Sequence, residues 1–283
     1  MRGRREQPRD PAQLAFLLVL LARLYDAYHS MPVRPGHATT FVTLLLIFVH
    51  VFPDVIPFST TDVCIDSQVI WATVTGRAGW TLWAFGQRSL SDRVSEVVRR
   101  LLLSALLHVD DLHLYYNSAS LLWKGSMLEA RMGIERYVGF LAFALAASGV
   151  LAVALGRVLE VLALGTLHCA VGFSGVLYAM SSVVFQECPD DPAVVHGIPI
   201  RRRHAVWLDV ILSSILHSHV SLVGHLAGAL AGFLWCHAPS GLGMGAPLAS
   251  WRSRGRRARF YGGGRLGGGP GPAQPGRRFE AVD

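Results

Sequence analysis

Ser174 stands between glycines in Cys-Ala-Val-Gly-Phe-Ser-Gly-Val-Leu-Tyr, residues 169–178, inside a run from Val161 to Gln186 that contains no Asp, Glu, Lys or Arg. A serine at the middle of a membrane-length apolar segment does little for solubility, and a polar group placed there is a functional candidate by default. Its chemistry would be nucleophilic. A hydroxyl attacks poorly until a base removes its proton, and His225, in Gly224-His225-Leu226-Ala227-Gly228, is the strongly placed base on another apolar run. Such a pair lacks a carboxylate to orient the imidazole. Tyr178, one helical turn beyond Ser174 on the same face, can hold the ring by stacking. An oxyanion needs donors, and the backbone N–H of Ser174, the imidazole of His113 and the amide of Asn117 are candidates, each such donor being worth ~3 kcal/mol in comparable sites.

The elements that must position these groups follow from spacing. His113 and Asn117 lie four apart and project from one face of a helix. Gly224, Gly228 and Gly232 form a stripe of small residues that lets two backbones approach closely, with Gly172 and Gly175 as the matching smooth patch; this is what bringing His225 against Ser174 requires. Taken singly, each feature has a plainer explanation. A membrane serine often bonds the carbonyl a turn back, a histidine or Asn117 can be a satisfied interhelical residue, and glycine stripes mostly serve packing. Their joint occurrence is what points to chemistry.

The 283 residues are 52% hydrophobic and 16% charged, the balance of a polytopic membrane protein rather than a soluble domain. The net charge of +7 comes from arginines gathered at the chain ends and in short connectors, which argues against nucleic acid as a partner. Cys64, Cys169, Cys188 and Cys236 are too widely spaced for a metal site or a dense disulfide framework and say little about redox compartment; Cys169 reads as a buried apolar residue. No metal or cofactor is expected.

In chain order, residues 1–35 form a basic segment and an N-terminal interfacial helix, with a signal peptide as the alternative. Residues 36–238 form the membrane domain. Its first span runs from Phe41 to Val51 and on to about Phe58, and residues 59–100 read as a long loop with Trp80 and Trp83 at the interface. The second span lies within Leu101–Leu128, with Asp110 and Asp111 at its aqueous edge, and the third covers Tyr137–Gly156. The fourth starts near Cys169 and stops before Glu187. Val206–Cys236 supplies two more, turning at His217–Ser221, with Asp209 paired to an unnamed partner. Residues 239–283, rich in Gly, Arg and Pro, should be a disordered cytosolic tail. The fold class is therefore an all-α membrane protein, a six-helix bundle. Arginine-rich ends on the cytosolic side demand an even number of spans and put Arg131, Arg136 and Arg201–Arg203 in cytosolic connectors. Spans two, four and six then run inward, with His113, Ser174 and His225 near their starts.

These residues resemble the rhomboid family of intramembrane serine proteases. His108, His113 and Asn117 match its two histidines and asparagine on the second span; Gly125, Glu129, Arg131 and Gly133 match its GxxxExRxG turn; Gly172-Phe173-Ser174-Gly175 matches its GxSG; Tyr178 matches its stacking tyrosine; and Gly224-His225-Leu226-Ala227-Gly228 matches its histidine helix. The resemblance implies a water-filled cavity open to the lumenal side. It makes Ser174 the nucleophile, His225 the general base and acid, and Ser174 N–H, His113 and Asn117 the oxyanion donors, with transmembrane proteins in the lipid bilayer as substrates. For the branch sharing Leu-Leu-Trp-Lys-Gly and Val-Gly-His-Leu-Ala-Gly, it implies the endoplasmic reticulum membrane, quality control of unstable membrane proteins, and the valosin-containing ATPase as a partner, here through residues 252–266. Departures are that the family's Trp-Arg pair is Arg99-Arg100, that a cavity histidine of some members is Ser104, and that no ubiquitin-interacting helix is evident. The alternative is a catalytically silent rhomboid-fold scaffold that dislocates membrane proteins.

Overall fold

A computed structural model describes residues 11–76, 89–165, 167, 169–186, 190–216 and 221–238. The expectations for residues 1–10, Trp80, Trp83, Cys188, the turn at 217–220 and the tail 239–283 lie outside the described residues. The helices are α1 (Pro11–Ser30), α2 (His37–Val51), α3 (Thr60–Val63), α4 (Ser67–Thr75), α5 (Leu90–Leu106), α6 (Asp111–Met132), α7 (Ile134–Val161), α8 (Ser174–Gln186), α9 (Arg202–Leu216) and α10 (Leu222–His237). Strands β1 (Pro192–Val195) and β2 (Ile198–Arg201) pair antiparallel between α8 and α9. This hairpin departs from the all-α expectation, and it orders the connector that carries Arg201–Arg203.

Two further boundaries differ from those read in the sequence. The first apolar segment stops at Val51 instead of Phe58, because Pro53 opens a short 3-10 turn over Pro53–Val55. The described parts of 59–100, residues 59–76 and 89–100, are largely helical rather than a loop, since Ser59, Asp66 and Ser89 are capping residues: Asp66 accepts from the amides of Gln68 and Val69, and Ser89 forms a capping box with Asp92. The run Leu101–Leu128 is correspondingly split. Leu101–Leu106 ends α5, and α6 begins afresh after Asp110, whose carboxylate accepts from the His113 amide at 2.7 Å.

Helix α8 occupies the middle of the bundle, with α6, α7, α9 and α10 packed around it. Its buried face carries Val176, Leu177, Ala179, Met180, Val183 and Val184. Two polar ties fix α2 antiparallel to α6. At one end Glu129 accepts from the amides of Ala38 and Thr39 at 3.0 and 2.9 Å and from the Thr39 hydroxyl at 2.7 Å; at the other, His50 Nε2 meets Asp111 Oδ1 at 2.8 Å. The first tie satisfies orphan amides at the α2 N-terminus with a negative charge, the arrangement its dipole favours. Helix α1 packs along α6 and buries Leu17, Leu20 and Leu24, while Leu14, Phe16, Leu18 and Val19 are exposed. It is thus part of the bundle, with an apolar outer face. Among the described residues, α7 is the one helix long and apolar enough to cross a membrane by length and composition, and α2 and α10 are shorter apolar helices.

Candidate active site

The segment before α8 is extended and tethered. Ile65 and Ala170 exchange both backbone hydrogen bonds at 2.9 Å, the Gly172 amide donates to the Ser104 carbonyl at 2.7 Å, and Cys169 is disulfide-bonded to Cys64. Cys169 is therefore not a buried apolar residue, and the wide cysteine spacing hid a pairing across 105 residues. Gly172 has φ +109 and lies against His113, where a Cβ would come within 2.6 Å of the imidazole Cε1; only glycine suits both demands. These constraints delay the helix. Instead of beginning near Cys169, it begins at Ser174, so the serine sits at a helix N-terminus rather than in mid-helix.

His225 is placed by a close helix pair. A Cβ at Gly228 would overlap the Gly175 carbonyl, and one at Gly232 would overlap that of Ala179, so equal steps along both chains show α8 and α10 running parallel in backbone contact. The glycine stripe thus meets Gly175 and Ala179; Gly172 faces His113 instead, and Gly224 adjoins Ser221. Ser221 caps α10, its hydroxyl accepting from the Gly224 amide at 3.1 Å. The Tyr178 and His225 rings lie 4.2 Å apart at 32°, one turn below Ser174. His225 is 6% exposed, and its Nδ1 faces the Ser213 hydroxyl at 3.4 Å.

The starts of α6, α8 and α10 therefore meet at one end of the bundle: His113 lies against Gly172, two residues before Ser174, and His225 against Tyr178, one turn beyond it. Ser174 lines a cavity of about 50 Å³ with Gly172, Gly175, Gly224 and the hydroxyl-bearing Ser104, Ser148 and Ser221. Such a volume suits one or two water molecules. Asn117 is 4% exposed, donates to the His113 carbonyl at 2.7 Å, and leaves its buried Oδ1 without a partner among the described residues. His108 is buried edge-on to His113, with ring centroids 5.1 Å apart. Gly125 and Glu129 lie about 18 and 24 Å along α6 from His113 at ~1.5 Å per residue and meet α2 rather than the site, and Arg131 is exposed at the end of the same helix. Arg100 donates to the Cys64 carbonyl at 3.0 Å, and Asp209 pairs with His196 at 3.2 Å.

Four participants escaped the sequence reading: Cys64, Ser148, Ser213 and His50. Cys64 had a weak signal as one of four cysteines, but nothing in the spacing gave its partner. The serines had none. No group of three or more His, Cys, Asp or Glu able to hold a metal occurs among the described residues.

A helical bundle with a serine and a histidine at adjoining helix starts is the arrangement of the rhomboids. The Rhomboid domain model matches residues 95–238, just over half of the chain, and the chain belongs to the rhomboid family, which makes it a membrane protein. Its matching region is 36% identical over 148 residues to Rhomboid-related protein 4 of Homo sapiens, covering 50% of this chain and 46% of that one. The Mus musculus protein of the same name is 38% identical over 144 residues, 50% and 46%. Rhomboid-like protein 14, mitochondrial, of Arabidopsis thaliana is 34% identical over 201 residues, 63% of this chain and 60% of that one. The chain spans about half the length of the first two relatives.

Proposed function

We propose that the protein is an intramembrane serine endopeptidase. The observation that carries this reading is the His225 imidazole packed at a tilt on the Tyr178 ring one turn below Ser174, across helices held in backbone contact by Gly228 and Gly232. In the proposed reaction Ser174 Oγ attacks a peptide carbonyl carbon while His225 Nε2 takes the hydroxyl proton. The resulting oxyanion is held by the Ser174 amide, His113 and Asn117. Collapse breaks the C–N bond as the imidazolium returns its proton to the leaving amine. A water molecule from the cavity, deprotonated by His225, then hydrolyses the acyl-serine and releases the acid. The polar groups lie at one end of a bundle whose outer face exposes Phe41, Leu44, Val138 and Val150, which suits substrates arriving through the lipid bilayer.

In the membrane, six segments (α2, α6, α7, α8, α9 and α10) are proposed to span, with both chain termini cytosolic. The Cys64–Cys169 disulfide supports placing the site end in an oxidising compartment, as the lumen of the endoplasmic reticulum is. Quality control of membrane proteins there, with the valosin-containing ATPase engaging residues 252–266, is the proposed setting.

The test is cleavage of a co-expressed type I membrane substrate and labelling by a fluorophosphonate. Wild type should cleave and label; Ser174→Ala should do neither, and His225→Ala should not cleave. Equal processing by Ser174→Ala would leave a catalytically silent rhomboid-fold scaffold for dislocation. An acceptor site engineered beside Thr75 should be glycosylated while one placed after Gly262 stays bare; the reverse pattern would overturn the orientation.

A further inference from the structure

Ser213 on α9 sits between the two aromatic rings of the site. Its Oγ lies 2.6 Å from the Tyr178 hydroxyl, 3.4 Å from His225 Nδ1 and 3.2 Å from the carbonyl of Val210, one turn back on its own helix. One hydroxyl thus reaches the tyrosine oxygen, the imidazole nitrogen and a carbonyl, with one proton to donate and two lone pairs to accept. The Val210 carbonyl also accepts from the Ser214 hydroxyl at 2.7 Å, so the proton of Ser213 goes either to that carbonyl or to the Tyr178 oxygen. The protease reading needs His225 Nε2 free to take a proton, and in that tautomer the Ser213 oxygen accepts from the imidazole Nδ1–H. Tyr178 cannot take the place of Ser213, because its ring lies against the face of the imidazole and its hydroxyl is turned to α9.

From this geometry we infer that Ser213 is a positioning residue for the proposed protease reaction: it holds the His225 tautomer that carries its proton on Nδ1 and turns the Nε2 lone pair toward Ser174. The Tyr178 hydroxyl fixes Ser213 in turn. The inference rests on the protease reading. It supplies what a two-member pair lacks, an acceptor behind the imidazole, with a neutral hydroxyl where serine proteases of other folds place a carboxylate. A neutral acceptor suits the setting, since a carboxylate at that depth would carry a large desolvation cost.

The experiment uses full-length protein in detergent and a transmembrane substrate, with wild type and Ser174→Ala as references. Ser213→Ala should lower kcat about tenfold or more with KM within about twofold, because the loss falls on proton transfer rather than substrate binding. Ser213→Thr, which keeps the hydroxyl, should recover most of the rate. Tyr178→Phe added to Ser213→Ala should cost little beyond Ser213→Ala alone, since both act through one contact. Full kcat in Ser213→Ala, or a threonine variant no better than alanine, would overturn the inference and leave the protease reading intact. No cleavage by wild type would instead count against that reading. Independent of turnover, 15N shifts of the His225 ring should report the Nδ1–H tautomer in wild type and a mixture in Ser213→Ala; an Nε2–H tautomer in wild type would overturn the assignment.

Discussion

At the scale of single residues, the groups read as oxyanion donors differ in how the fold holds them. The His113 ring is pressed on the Gly172 backbone, so its position follows that of the extended segment leading into Ser174. Asn117 spends one amide hydrogen on the His113 carbonyl and has a second to give. Asn117→Ala should therefore reduce kcat about 100-fold while KM stays nearly level, as loss of a donor used mainly in the transition state would. Steady-state kinetics on a transmembrane substrate check this, and a change confined to KM would assign Asn117 to substrate binding.

At the scale of elements, the contact between α8 and α10 tolerates no added atom. Gly228→Val should destabilise the bundle by about 3 kcal/mol or more and abolish cleavage together with the fold, since the new methyls would meet the Gly175 carbonyl directly. Thermal unfolding in detergent reads the effect, and Leu230→Val, which brings the same side chain to a half-buried position two residues on, serves as the control. Helix α5, between α2 and α6 and outside the proposed spans, has an electrostatic anchor. Burial alone would raise the Glu96 carboxyl, but hydrogen bonds and charge from Arg99, and then from Arg100, outweigh it and hold it below the ordinary 4.5. Asp62 is held below its ordinary 3.8 by hydrogen bonds from the Ser59 hydroxyl and amide. A depressed carboxylate stabilises the fold fully above its open-chain value, and that contribution disappears as pH falls through the lower folded value. Protection of α5 in hydrogen exchange should thus be level from pH 7 to about 5 and weaken below about 4. Glu96→Gln should remove part of that acid step.

For the whole molecule, one covalent link closes the longest loop. Cys64–Cys169 ties the helices after α2 to the strand leading into Ser174, 105 residues apart, a closure worth about 4–5 kcal/mol in the chain-entropy description. Reduction, or Cys64→Ser with Cys169→Ser, should lower the melting temperature and slow fluorophosphonate labelling of Ser174, with the Ile65–Ala170 and Gly172–Ser104 backbone bonds left as tethers. Unchanged labelling after verified reduction would show that these backbone bonds suffice.

Periodicity and residue type settled much of this beforehand. The glycine stripe could only serve a close helix contact, the four-residue step from His113 to Asn117 could only face one way along a helix, and Ser174, Tyr178 and His225 were legible because polar groups in apolar runs need a reason to be there. The short helices within 59–100 were read as a loop, because their apolar patterning is weak and the capping residues Ser59, Asp66 and Ser89 were not used. What tertiary structure decided were the relations with no local signature: which glycine meets which backbone, the pairing of Cys64 with Cys169, the cap that Glu129 provides for a helix 90 residues earlier, and Ser213 behind His225. The physical reason is that helical periodicity reports only which side of an element is buried. Partners across helices are chosen by packing the whole bundle at once, and a small hydroxyl such as Ser213 leaves no trace in the chain until that packing sets it beside an imidazole.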